Sequence, residues 1–370
     1  MKYLYDYLIV GSGLFGSVFA RQMTDAGKKC LIIDKRNHIG GNCYTEQKHG
    51  DIHVHKYGPH IFHTNNQKIW KYVKRFITLN NFQYRPKVNY DGQIYSFPIN
   101  LMTMNQMWGV STPAEAETLL ASKRVPIENP SNLEEWILSQ VGEELYQTFV
   151  YGYTKKQWGM HPNELPKFII QRLPIRLTFN DNYFDDKYQG IPTKGYTQLF
   201  HSLHHKIEVW LNADYFKAQS YYDSLATKVV YTGPIDRFFD YTYGDLGWRS
   251  LRFEEADFSM SDFQGVATVN HTHESVPYTR TVEHKHFTYS TSDSTIVTYE
   301  YPQNYSRGEE PYYPINNDAN NNILAKYKCL IDPRKYIFGG RLANYQYYDM
   351  HQVIGAALAA SDNELLGRNP

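Results

Sequence analysis

Cysteine is scarce in this chain of 370 residues, which has three, at positions 30, 43 and 329. A small, odd and widely spaced set supports neither a disulfide framework nor a cysteine-based zinc site. It suits a reducing compartment, so a cytoplasmic location is expected. Net charge is lacking too, with 38 basic residues against 38 acidic ones. No overall field draws the chain to nucleic acid or to an anionic membrane, and any anion site has to be built locally. Unbroken apolar runs of about eighteen residues are missing, so no membrane insertion is expected. The apolar opening is interrupted by Asp6 and followed by glycines, which reads as a strand and not as a signal peptide. There are no internal repeats. No Ser/His/Asp or Cys/His grouping suggests a protein nucleophile, and no basic–aromatic ladder suggests a nucleic-acid surface.

Tyrosine is abundant, at 33 residues. It packs as an aromatic and still offers a hydroxyl, so it serves cores and sugar-nucleotide pockets alike. The start of the chain organises the rest. Tyr3-Leu4-Tyr5-Asp6-Tyr7-Leu8-Ile9-Val10 leads into Gly11-Ser12-Gly13-Leu14-Phe15-Gly16, then helix-compatible sequence, then Leu31-Ile32-Ile33-Asp34. That order is the first half of a dinucleotide-binding βαβ unit. Gly11 permits the tight turn, Gly13 lets backbone N–H groups approach a pyrophosphate, and Gly16 lets the helix pack against the sheet. The helix N-terminus adds donors and partial positive charge, and Asp34 stands where a carboxylate accepts from ribose hydroxyls. Arg36-Asn37-His38-Ile39-Gly40-Gly41-Asn42 follows, its paired glycines marking a second close backbone approach. The combination points to FAD in preference to NAD.

Further along, His53, His55, His60 and His63 crowd one stretch. The alternation over 52–55 reads as strand, and no nearby carboxylate or cysteine completes a ligand set, so no metal is expected and cofactor contact is favoured. Asp91-Gly92 marks a hairpin turn. Thr112-Pro113-Ala114-Glu115 and Ser131-Asn132-Leu133-Glu134 read as capping boxes, and Leu133, Trp136, Ile137, Val141, Leu145 and Phe149 recur at helical spacing. Arg172 and Arg176 flank Pro174 in an irregular stretch that reads equally as a phosphate-binding lid or as surface. Residues 228–234 look like a buried parallel strand ending in a glycine turn. From about 262 to 301 the pattern reads as β, including Lys285–Ser290 and Thr295–Tyr299. Near the end, Lys335–Phe338 is a strand running into Gly339-Gly340-Arg341, and Asp349-Met350-His351-Gln352 opens an alanine-rich helix. The cofactor domain is therefore expected to be discontinuous.

Several motifs carry a resemblance to a known family: Gly11–Gly16, Arg36–Asn42, Tyr57–Thr64, Tyr153-Thr154-Lys155-Lys156-Gln157-Trp158-Gly159, Pro277–Arg280, Pro311–Pro314 and Phe338–Gln352. Together, in order and over essentially the whole chain, they resemble bacterial UDP-galactopyranose mutase. The resemblance implies an α/β fold with a Rossmann-like FAD-binding domain (1–76, 193–243 and 318–370), an inserted helical domain (98–150) and an antiparallel β-sheet domain (77–97, 151–192 and 244–317), as a homodimer. It implies interconversion of UDP-galactopyranose and UDP-galactofuranose without net redox change. Reduced flavin N5 attacks the anomeric carbon and UDP leaves; the flavin–sugar adduct opens as an iminium and recloses through another hydroxyl before UDP returns. Two alternatives stand beside this: the same chemistry on UDP-N-acetylgalactosamine, and an FAD-dependent amine oxidase.

By the same resemblance, Arg172 and Arg280 would neutralise the departing diphosphate and His63 would sit beside flavin and sugar. Arg176 is left to structure. Phe149 and Tyr153 would contact uracil, with Trp158 nearby, and Tyr183, Tyr313 and Tyr347 would surround the diphosphate. Asp349 would face the sugar, with helix capping as its plainer reading. His60, Arg341 and Met350 would join Gly11, Gly13, Phe15, Gly16, Asp34, Gly41 and Asn42 around FAD. Two departures stand out: Asp34 where a glutamate is usual, and Lys155 where an acid is expected.

Overall fold

The computed structural model describes residues 3–171 and 173–367. Apolar strands buried on both faces favour a parallel sheet covered by helices, and Tyr5–Val10 and Cys30–Ile33 form one. On the other side Tyr5–Val10 pairs in parallel with Ala226–Tyr231, and that strand with Tyr336–Phe338; Glu208–Trp210 closes the far edge. The sheet thus draws on both ends of the chain, the discontinuous arrangement expected. The glycine-turn helix Leu14–Asp25 packs against the last long helix, Met350–Leu365, over one face of this sheet.

A seven-stranded sheet forms the second layer. It runs in the order Tyr313–Pro314, Trp248–Phe258, Thr295–Asn304, Arg280–Glu283, Thr268–His271, Lys87–Tyr90, Gln93–Ser96. Contrary to a purely antiparallel expectation, Thr268–His271 and Lys87–Tyr90 run parallel. The Asp91-Gly92 hairpin forms as read, both residues taking positive φ as a two-residue turn requires. Helices Leu101–Trp108, Pro113–Lys123 and Leu133–Tyr146 make the helical part, with Phe149 in the core beneath them.

Three local expectations need correction. The third helix is capped one residue later than read: Asn132, not Ser131, accepts from Glu135 N, and Glu135 takes the Ser131 N–H and hydroxyl. The helical spacing from Leu133 to Phe149 is broken at Gly142, whose φ of +76° lets it lie against the Lys123 carbonyl, where a Cβ would stand 2.1 Å away. Lys285–Thr288, read as strand, is one helical turn ended by Tyr289 at positive φ. Its Lys285 ammonium turns inward to the Ser261 and Ser292 carbonyls. Among the described residues no helix is long and apolar enough to cross a membrane.

Candidate active site

Between the two layers lies a cleft of about 1420 Å³. Its cofactor-side wall begins at the glycine turn. Gly11 has φ +108°, and a Cβ there would lie 2.1 Å from Thr232 Oγ1, so only glycine lets the turn meet the neighbouring strand end. A Cβ on Gly41 would lie 2.9 Å from Gly13 Cα; the two loops touch backbone to backbone. Gly13 caps Leu14–Asp25 without a side chain, so the first amides of that helix keep no internal partner. Phe15 fills the space over Gly339, where a Cβ would overlap its ring at 2.0 Å. Gly16 does not line the cleft. It sits behind the turn, where a Cβ would fall 2.3 Å from Gly11 O, which is the close packing its position predicted.

Asp34 is less available than a ribose acceptor would be. Its Oδ2 accepts from Ser12 N at 2.8 Å and Ser12 Oγ at 2.6 Å, and Oδ1 from Arg36 N at 3.0 Å. Arg36 donates from Nη2 to Asn42 Oδ1 and Glu310, while its buried Nη1 has no partner. A buried, unpartnered guanidinium nitrogen lining the same cleft as uncapped helix amides suits an anionic dinucleotide. His60 donates from Nδ1 to the Gly58 carbonyl, and burial pulls its pKa down to about 4, so the ring is neutral at pH 7.

The opposite wall carries the charge. Arg280 and Glu300 are cross-strand partners in register, and Nε and Nη2 both reach Glu300 Oε2 at 2.7 Å. Burial opposes the charge on Arg280, but Glu300, then Tyr153 and Tyr313, outweigh it and raise its pKa. Burial raises the Glu300 pKa, with Arg280 pulling it back. Because the Nε–Nη2 edge is occupied, the end-on Nη1–Nη2 pair is the edge left for a ligand. Burial pushes Tyr313 up to about 12 and Tyr153 higher still, so both are neutral hydroxyls. The Tyr313 ring stands 5.5 Å from Tyr347 and 6.3 Å from Trp158. Arg341 lies 4.7 Å over Tyr347 and donates to the Tyr312 carbonyl.

Between the walls, His63 Nδ1 meets Asp186 Oδ2 at 2.5 Å and its ring stacks on Phe184 at 3.6 Å. One ring nitrogen of His63, one of His351 and a carboxylate oxygen of Asp349 come within 4.8 Å of one another, so only His63 of the histidine-rich stretch joins this group. Asp349 is the N-cap residue of Met350–Leu365, its N–H donating to Gln352 Oε1.

Among the described residues, every predicted site residue other than Gly16 lines the cleft, namely Gly11, Gly13, Phe15, Asp34, Gly41, Asn42, His60, His63, Phe149, Tyr153, Trp158, Tyr183, Arg280, Tyr313, Arg341, Tyr347, Asp349 and Met350. Arg172 lies outside the described residues. Arg176 is spent on structure, bonding Asn182 O at 2.6 Å and Asp185 at 2.7 Å. Lys155, the odd charge in its motif, is matched by Glu274 at 2.6 Å. Sequence reasoning missed Glu300, Asp186 and Thr232. Each acts through a partner more than a hundred residues away or across a strand register, so no local signal marks it, save for the short spacing of Arg280 and Glu300 on neighbouring predicted strands.

A glycine-built dinucleotide cradle and a guanidinium–tyrosine wall sharing one cleft define a nucleotide-dependent enzyme of the Rossmann-like α/β class. Residues 148–347 match the family model for UDP-galactopyranose mutase, and residues 9–76 that for an NAD(P)-binding Rossmann-like domain. The chain belongs to the UDP-galactopyranose mutase family. It is 43% identical over 364 residues to a dTDP-fucopyranose mutase of Escherichia coli, covering 95% of this chain and 96% of that one. It is 41% identical over 367 residues to a probable UDP-galactopyranose mutase of Klebsiella pneumoniae, covering 97% and 94%. The fold matches a crystal structure of reduced UDP-galactopyranose mutase with a TM-score of 0.78 at 14% identity, over 98% of this chain and 94% of that one. Family membership sets aside the amine-oxidase alternative.

Proposed function

We propose that this enzyme interconverts the pyranose and furanose forms of a nucleoside-diphosphate hexose, UDP-galactose in the first instance, with FAD in the cradle. The observation that carries the reading is Arg280: a half-buried guanidinium, fixed along one edge by Glu300, with its other edge toward the cleft that also holds the glycine cradle. Gly11, Gly13, Phe15, Asp34, Gly41, Asn42, His60, Arg341 and Met350 would hold the cofactor, with Arg36 Nη1 and the amides after Gly13 on its pyrophosphate. When bound and reduced, FAD supplies the nucleophile for the anomeric carbon.

The chain's own work is binding, orientation and charge. Arg280 takes up negative charge as the bond from the anomeric carbon to the diphosphate breaks, a bidentate task for which guanidinium is suited. Arg172 is its proposed partner. The neutral hydroxyl of Tyr313 donates to the diphosphate without competing for it, with the hydroxyls of Tyr183 and Tyr347 beside it. Phe149, Tyr153 and Trp158 pack the base. Asp186 fixes His63 through Nδ1 so that Nε2 is the nitrogen turned to the sugar, with Asp349 below. The proposed enzyme is a cytoplasmic homodimer.

A second reading keeps the reaction and changes the substrate to a dTDP-linked 6-deoxyhexose, because identity to the named dTDP-fucopyranose mutase is as high as to the UDP-galactose relative. The acetamido sugar stays as a third substrate to try. Chromatography of nucleotide sugars after incubation with dithionite-reduced protein, beside an oxidised control, tests all three. Conversion of UDP-galactofuranose to the pyranose only when reduced is the expected result. Conversion of dTDP-fucofuranose alone would select the second reading, and failure of every sugar with flavin bound and reduced would refute the reaction.

A further inference from the structure

Among the described residues the Lys156 ammonium forms no salt bridge, although Glu274, paired with Lys155, is near enough to favour its charge. It projects from the helix Gly152–Trp158, which supplies Tyr153 and Trp158 to the cleft, into the turn joining Thr268–His271 to Arg280–Glu283. There Nζ donates to four backbone carbonyls of that turn: His271 at 2.8 Å, His273 at 2.9 Å, Val276 at 2.9 Å and Tyr278 at 3.1 Å. An ammonium carries three protons, so four acceptors at these distances surround it as a cage in place of pairing one to one. Without a cation at the centre, four carbonyl dipoles would point at one another in a half-buried space.

The neighbouring contacts weld the same two elements. Thr272 Oγ1 donates to Thr148 O at 2.6 Å, and a Cβ on Gly152 would fall 2.3 Å from Thr272 O, so helix and turn touch backbone to backbone. Arg249 holds the far end of the helix through the Gln157 and Lys156 carbonyls. The turn leads within two residues of its last caged carbonyl to Arg280.

We propose that Lys156 is a positioning residue whose ammonium serves as a built-in cation for the 271–278 turn, locking the base-facing helix and the Arg280 strand into one wall. This rests on the reading that Arg280 and that helix grip the same nucleotide diphosphate. Lys156→Ala in the flavin-loaded enzyme should keep its flavin and lose about ten- to a hundredfold in UDP affinity and in kcat/KM, the range for a lost charged hydrogen-bond set. Methylammonium should restore both; tetramethylammonium, the same charge without N–H donors, should not. A purely structural defect would not distinguish the two ions. Wild-type affinity and turnover in K156A, or a deficit that methylammonium leaves untouched at unchanged flavin content, would overturn the proposal. If K156A is not recovered folded, Lys156→Arg decides: its planar head cannot fill the cage, so the same losses are expected, and full activity would refute the cage. Wild-type enzyme that binds UDP yet converts no sugar would sink the mutase reading alone, since UDP affinity and its rescue still report on the cage.

Discussion

Replacing Glu300 with glutamine removes one charge and leaves the shape of the buried pair intact. In the wild type both Nε and Nη2 of Arg280 bond one Glu300 oxygen at 2.7 Å, with the Glu300 side chain 1% exposed and that of Arg280 19%. Removing one partner of a buried ion pair costs about 3–5 kcal/mol. Glutamine keeps an acceptor, and the cleft gives Arg280 some water, so the expected loss is about 2 kcal/mol. For a chain of 370 residues that lowers the melting midpoint by roughly 2–3 °C. The sign of the ligand effect is the sharper test. In the wild type a diphosphate approaches a guanidinium already neutralised by Glu300; in E300Q it approaches an unpaired one and supplies the missing counter-charge. Saturating UDP should therefore raise the midpoint of E300Q more than that of the wild type. Differential scanning fluorimetry with and without UDP reads both numbers. An equal or smaller UDP shift in E300Q would refute the reasoning that Arg280 presents its free edge to a diphosphate.

Arg280→Ala should abolish turnover while the yellow cofactor stays bound, and loss of flavin absorbance from the purified variant would move Arg280 from catalysis to folding. Gly16→Ala should lower flavin content, because its Cβ would fall 2.3 Å from Gly11 O and push the turn open; full occupancy by absorbance ratio would contradict that. Burial pulls His204 down to about 4 and His284 to about 3. Below about pH 6.5 the unfolded chain binds protons that the folded chain refuses, so these histidines lower stability as pH falls, each by about 1 kcal/mol at pH 5.5. The melting midpoint should drop between pH 7.5 and 5.5, and drop less in His204→Gln; an identical slope in the variant would contradict the assignment.

The cofactor half of the fold is legible in sequence because its code is local. Strand, glycine turn, helix and second strand lie within about thirty-five contiguous residues, and positive φ at Gly11 leaves a signature that a reader can see. The partners of the chemical groups are not local. Asp186 reaches His63 across 123 positions, and Glu300 faces Arg280 only because two strands settle in one register. Short patterns also mislead where tertiary contacts overrule them. Lys285–Ser290 alternates like a strand, yet its lysine is drawn to two carbonyls inside the fold and the segment turns once as helix. The cap at Asn132 shows the limit of motif reading at one-residue precision: Ser131, Asn132, Glu134 and Glu135 offer two overlapping boxes, and only the packed helix decides between them.

The five-stranded sheet takes its order from strands far apart in the chain, with Tyr336–Phe338 beside Ala226–Tyr231 and the closing helix Met350–Leu365 against the first one. During synthesis the glycine turn precedes by most of the chain the strand and helix that complete its surroundings. Until they arrive, Phe15 has no Gly339 to lie on and the cradle lacks a side. A nascent chain halted before residue 336 therefore holds the glycine-turn sequence without the strand and glycine that close its cradle.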